Sequence, residues 1–144
     1  MSPFSEQLRL HRIRCGFRQK ELAKLLGYEQ SYVSALEIGL KGPPTNEFVK
    51  KLIAVLKLSQ EDQETLNVAI AASQRKINIP SEAPTEIYWL FHKLRQKMDQ
   101  LHPVQIALIE TALSLPLNAS LQSSSTLTRI KRRYQNIYET EAEM

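Results

Sequence analysis

The chain has 144 residues, 42% of them hydrophobic, enough for a real core in one domain of average size or in two small ones. No apolar run approaches the roughly 20 residues of a membrane span, and the N-terminus lacks the basic-then-apolar pattern of a secretory signal, so a globular, cytoplasmic protein without membrane contact is expected. The net charge of +4 is uneven: residues 1–58 carry ten Lys/Arg against five Asp/Glu, whereas residues 80–144 carry seven of each, so a polyanion would be drawn to the first half.

In chain order, apolar periodicity predicts helices near residues 6–14, 19–26, 30–37, 47–57 and 60–75, and no stretch sustains strand alternation, which makes the expected fold class all-α. Cys15 is the lone cysteine. It excludes an internal disulfide or a cysteine-based zinc site, and its place before Gly16 at the end of the first helix suits a small packing residue. The stretch from 18 to 41 carries the most information. Leu22, Ala23, Leu25 and Leu26 supply one buried helix face, Gly27 lets the chain turn, and Val33 and Leu36 give the next helix an i, i+3 face to lay back on the first. What stays exposed on that second helix is Gln30, Ser31, Tyr32, Ser34 and Ala35, short or hydrogen-bonding side chains rather than the Lys/Glu mix of an ordinary solvated face. Such a set suits the edges of base pairs. Thr45 is placed to cap the fourth helix, and Ser59 with Asp62 opens the fifth, whose Leu66, Ala69, Ile70 and Ser73 can pack inward.

Two prolines among turn formers at residues 78–84 break the pattern and place a domain boundary at about residue 79, giving domains 1–79 and 80–144. Beyond it Thr85 can cap a helix in which Ile87, Phe91, Leu94, Met98 and Leu101 recur at alternating spacings of 4 and 3, a heptad seam. Pro103 then opens a helix at N1 that is apolar on nearly every side through Val104, Ile106, Ala107, Leu108, Ile109, Ala112, Leu113 and Leu115. A second subunit or a C-terminal helix must cover it, and self-association is the favoured reading. Tyr88, Trp89 and Phe91 either fill a core or interface, the favoured alternative, or line a ligand pocket. After Pro116, Leu127, Ile130, Tyr134, Ile137 and Tyr138 fall at helical spacing, with Arg129, Lys131, Arg132 and Arg133 on the other face, where solvation is favoured over DNA contact.

Residues 4 to 59 resemble the lambda-repressor-like, Cro-type helix-turn-helix family, also called the XRE family. The resemblance rests on the Gln19-Lys20-Glu21-Leu22-Ala23 opening, the turn glycine Gly27, the recognition-helix run Gln30-Ser31-Tyr32-Val33-Ser34 and the closing Leu36-Glu37-x-Gly39. Pro43-Pro44 with Phe48, Leu52, Ala54 and Leu56 resembles the loop and fourth helix that complete the family's core. It implies a five-helix DNA-binding domain, here followed by a small helical dimerisation region, with residues 30–37 lying in the major groove of double-stranded DNA. Gln30 is the foremost base-reading candidate, able to pair with adenine N7 and N6, with Ser31, Tyr32 and Ala35 beside it. Gln19 would anchor a phosphate, aided by Arg18, Lys20 and the helix dipole, with Ser34 and Lys41 as further backbone contacts. Arg12 and Glu37 stand where relatives often place a structural ion pair.

Two departures from the family pattern stand out. Glu29 occupies a place that usually holds a short hydroxyl or similar residue; a carboxylate there repels phosphate unless it accepts from cytosine N4 or from nearby backbone amides, which makes it a candidate specificity residue. Ile38 and Leu40 replace polar or basic residues, so affinity per monomer is expected to be low. That raises the value of dimerisation, for which Ile87, Phe91, Leu94, Met98, Leu101, Leu108 and Leu113 are the candidate residues.

An enzyme is not expected, since His11, His92 and His102 lie apart and four glycines form no phosphate loop; neither a cofactor nor a metal is implied. Two functional classes survive. One is a homodimeric transcription regulator, with repression favoured; the other is an antitoxin or partner-binding component of a two-protein module, whose principal contact is another protein.

Overall fold

The structure, a computed structural model, describes residues 1–116, all of them helical or loop with no strand among them. The predicted helix at 127–138, with its arginines, lies outside the described residues. The elements are α1 (Pro3–Arg14), α2 (Gln19–Leu26), α3 (Gln30–Glu37), α4 (Asn46–Leu56), α5 (Gln60–Ala72), α6 (Thr85–Lys97), a 3₁₀ turn (Met98–Gln100) and α7 (Pro103–Leu113). They fall into two compact units, the first Met1–Pro80 and the second beginning at Ser81.

In the first unit α1 begins three residues before the sequence reading placed it. Ser2 Oγ accepts from the Ser5 amide at 3.2 Å and Pro3 takes N1, where its missing N–H costs nothing. Thr45 and Ser59 cap α4 and α5 in the same way, by accepting from the amides of Phe48 and Asp62. Gly27 closes α2 at φ 75°, a left-handed conformation that turns the chain toward α3. Gly39 has φ 78°, and a Cβ there would lie 3.3 Å from the backbone of Met1 and Ser2, so only glycine lets the exit of α3 pass the N-terminus this closely.

The five helices share one core of Phe4, Leu8, Leu22, Ala23, Leu26, Val33, Leu36, Phe48, Val49, Leu52, Leu56, Leu58 and Leu66. Two expected members are missing from it. Leu25 is 55% exposed because Leu22, Leu26 and Ala23 span an arc of about 100° and Leu25 falls about 60° outside that arc at 3.6 residues per turn. Ala54 is likewise exposed, with Val49 and Leu58 buried instead. Cys15 is exposed rather than packed, its Sγ 3.9 Å from the Leu56 carbonyl. Polar links tie α1 to α5: the Phe4 amide donates to Ser73 Oγ at 2.9 Å, and Arg14 donates to both oxygens of Asp62 at 2.6 and 3.2 Å. α5 ends at Ala72, and the buried Ser73 hydroxyl turns back to the Ala69 carbonyl.

His11 sits wholly inside this unit, and neither ring nitrogen has a hydrogen-bond partner among the described residues. Burial holds its pKa below the usual 6.5, and Arg14 pushes the same way more than Asp62 opposes it. The unfolded chain therefore takes up a proton near pH 6.5 that the folded chain refuses, and stability is lost as pH falls below that value. Asp62, held at about 2 by Arg14, contributes stability that is lost only as pH falls through that lower range. We expect the urea midpoint to fall between pH 7.5 and 5.5, and His11→Phe to flatten that slope; an equal slope in the variant would place the titration elsewhere.

In the second unit Pro84, not Thr85, is the N-cap of α6. The α-helical seam ends at Lys97, so Met98 lies in the 3₁₀ turn and Leu101 beyond it. Pro103 does open α7, under a cap the sequence reading missed: His102 Nδ1 accepts from the Val104 amide while Gln105 accepts from the His102 amide. Ile87, Phe91, Leu94 and Leu101 are half-buried, whereas Leu108 and Leu113 are 65% and 79% exposed. Trp89 is largely exposed, its ring edge-on to His92.

Candidate nucleic-acid interface

The two helices of the motif are joined by a short turn and packed through Leu22, Ala23, Leu26, Val33 and Leu36, all buried. At the start of α2 the Glu21 carboxylate accepts from the Arg18 amide at 2.8 Å, fixing the first turn and leaving the side chains of Arg18 and Lys20 exposed. The positive end of the helix dipole adds to their charge. Gln19 is half-buried and its Nε2 donates to Glu37 Oε2 at 2.8 Å. An amide nitrogen carries two hydrogens, so Gln19 keeps one for an acceptor outside.

Glu37, the last residue of α3, is the hub of this corner. It is 3% exposed and accepts from Arg12 Nε at 2.5 Å and Nη2 at 3.1 Å as well as from Gln19. Arg12 spends its remaining arm on the Phe17 carbonyl at 2.8 Å. One bidentate pair thus fixes α1, the α1–α2 loop and α3 together, and it aims Gln19. The family resemblance implies the Arg12–Glu37 pair but carries no sign that Gln19 shares the carboxylate.

Along α3 the first turn is open. Glu29 is the N-cap yet makes no side-chain cap bond, and Glu29, Gln30 and Ser31 are exposed beside the unspent amides of the helix start. Ser34 and Ala35 are half-buried. Tyr32 is also half-buried: its ring stacks on Tyr28 with centroids 5.2 Å apart and stands edge-on to the buried Phe48 at 5.8 Å. Burial raises its phenol pKa, and Tyr28 adds to the shift. After Glu37 the chain folds back, the amides of Leu40 and Lys41 both reaching the Ala35 carbonyl, which brings Lys41 Nζ to 5.3 Å from the Tyr32 ring. Ile38 and Leu40 point outward, 54% and 72% exposed. Tyr28 and Lys51 escaped the sequence reading. Lys51 Nζ lies 5.1 Å from the Tyr28 ring and pairs with Glu47 at 2.9 Å.

Among the described residues no group of three or more His, Cys, Asp or Glu could hold a metal ion, and no helix is long and apolar enough to cross a membrane. Residues 3–66 match the family described as "Helix-turn-helix domain". The chain is 33% identical over 91 residues, 63% of its own length, to RghRB of Bacillus subtilis (strain 168), described as an uncharacterized HTH-type transcriptional regulator. It covers 66% of that relative, just under two thirds. No solved structure matches the chain at a significant level. Residues 3–66 are thus similar to a helix-turn-helix domain, the feature this chain shares with a protein named as an HTH-type transcriptional regulator.

Proposed function

We propose that this protein is a sequence-specific DNA-binding transcription regulator, acting as a dimeric repressor on a two-fold symmetric operator. The observation that carries this reading is the exposed, uncapped start of α3, where Gln30 and Ser31 stand beside free backbone amides while the α2 start presents Arg18, Gln19 and Lys20. Gln30, Ser31, Ala35 and Glu29 meet base edges, and Tyr32 flanks them. Arg18, Gln19, Lys20, Ser34 and Lys41 meet phosphates. The second unit joins two copies through Ile87, Phe91, Leu94, Met98, Leu101, Leu108 and Leu113, so that two half-sites are read together.

Selection of fragments from a random DNA pool by the purified protein, read with its mass in solution, tests the whole reading. A two-fold symmetric motif from a dimer is expected; no enrichment would remove it. Gln30→Ala should cost about 1 to 3 kcal/mol on the selected site and relax the choice of base there, whereas Gln19→Ala should weaken matched and scrambled duplexes alike. Titrations on both duplexes check this, and an undiminished preference in Gln30→Ala would displace α3 from the groove.

The exposed apolar α7 favours a second reading, in which another protein covers that helix and DNA binding only regulates the protein's own operon, as for an antitoxin. A stable one-to-one complex with a co-purifying protein in place of a homodimer would select it.

A further inference from the structure

Tyr28, Tyr32 and Phe48 form an aromatic shelf at the start of α3, and two lysines from different elements are drawn onto it. Phe48 is fully buried and holds both tyrosines by edge contacts, at 5.2 Å to Tyr28 and 5.8 Å to Tyr32. Lys51 comes from α4 and Lys41 from the segment after α3, with their Nζ atoms 5.1 and 5.3 Å from the two ring centroids. A long lysine side chain normally sweeps a wide arc; an aromatic face beneath its ammonium narrows that arc and keeps the charge in place.

The shelf is also placed opposite the other cationic corner. Gln19 is bonded to Glu37 at the end of α3, whereas Tyr28 and Tyr32 flank its beginning. A helix of eight residues is about 12 Å long, close to the width of about 12 Å of the B-form major groove.

We propose that Tyr28, Tyr32, Lys41 and Lys51 form a second backbone clamp, in which the two lysines hold phosphates of the strand opposite the one met by Arg18, Gln19 and Lys20. This rests on the reading of α3 as the groove-entering helix. Tyr32 then acts as the platform that positions Lys41 instead of reading a base, and Lys51 joins the binding machinery from α4. Glu47, paired to Lys51 at 2.9 Å, is the group a phosphate displaces.

Salt titrations of the full chain on matched and scrambled duplexes test the clamp. Lys51→Gln should reduce the magnitude of the log affinity against log salt slope by about 1, weakening both duplexes by a similar factor and leaving their ratio unchanged. Lys50→Gln, the same charge change at the neighbouring exposed position of α4, should leave the slope nearly as it was. Tyr32→Phe keeps the ring and should retain the matched-to-scrambled ratio within about twofold; Tyr28→Leu should mimic Lys51→Gln although the lysine remains. Thermal melts identify any loss of fold in Tyr28→Leu, and Lys51→Gln with Tyr32→Phe decide the matter without it. An unchanged slope for Lys51→Gln, an equal loss for Lys50→Gln, or a collapsed ratio for Tyr32→Phe would overturn the clamp while wild-type preference for the matched duplex leaves the DNA reading standing. A wild-type chain that binds neither duplex would remove both.

Discussion

Arg12→Ala is expected to lower the unfolding free energy of the first unit by about 3 to 5 kcal/mol, because it leaves the Glu37 carboxylate buried with only Gln19 as a partner. Glu37→Ala should cost less, about 2 to 3 kcal/mol, since the Arg12 side chain is 13% exposed, keeps its bond to the Phe17 carbonyl and can turn its freed nitrogens toward water. Replacing both at once, Arg12→Ala with Glu37→Ala, should cost less than the two single changes summed, as no uncompensated charge then remains inside. Urea unfolding of the four proteins at pH 7 reads the cycle directly. A double variant that loses as much as the two singles summed would mean that each side chain acts alone and that the pair is not the joint described. The same series should separate stability from binding, for Glu37 also orients the Gln19 amide. The refolded double variant is expected to bind matched and scrambled DNA less well by similar factors, the signature of a misplaced backbone anchor.

How much of this was legible in the sequence follows the range of each interaction. The α2–α3 hairpin could be read residue by residue, since a turn glycine, a small residue at the close approach and an i, i+3 face all lie within 24 residues. The caps at Thr45 and Ser59 were equally local. Ser2 followed by Pro3 carried the same kind of signal for α1 and was overlooked, and His102 escaped because histidine is an uncommon cap. The misplacement of Leu25 has a different cause. Four apolar residues within five positions do not say which of them lies beyond the buried arc, and only the direction from which α3 and α4 pack decides it.

Interactions between distant segments were largely invisible. Nothing local to Phe4 announces that its amide is met by Ser73, and nothing near Gln19 shows that Glu37 holds it. The aromatic shelf is the most consequential case, because Tyr28 lies in the turn after α2 and only the packing of α4 against it brings Lys51 over its ring. Tyr32 reads as exposed on α3 for the same reason: a helical wheel puts it on the outer face, and only Phe48 from another helix turns that face into a half-buried one.

Removal of the second unit should have the largest effect on DNA binding. A chain ending at Pro80 is expected to fold, because every residue of the core cluster lies between Phe4 and Leu66 and the polar links that close α1 on α5 end at Ser73. It is also expected to be a monomer. In the full chain Val104, Ile106, Leu108, Ile109 and Leu113 are 41% to 79% exposed and project around α7 in several directions, more apolar surface than a soluble helix ordinarily leaves to water. A second copy of the unit can cover it, and the two DNA-binding units are then tethered, so that the second half-site is bound at high effective concentration. Losing the tether should weaken operator binding by on the order of 100-fold or more, while affinity for a single half-site stays near that of one unit in the full chain. Sedimentation of both chains and titrations on whole and half operators measure these quantities together. A monomeric full chain, or a fragment ending at Pro80 that dimerises equally well, would move the interface into the first unit and leave α7 to a different protein.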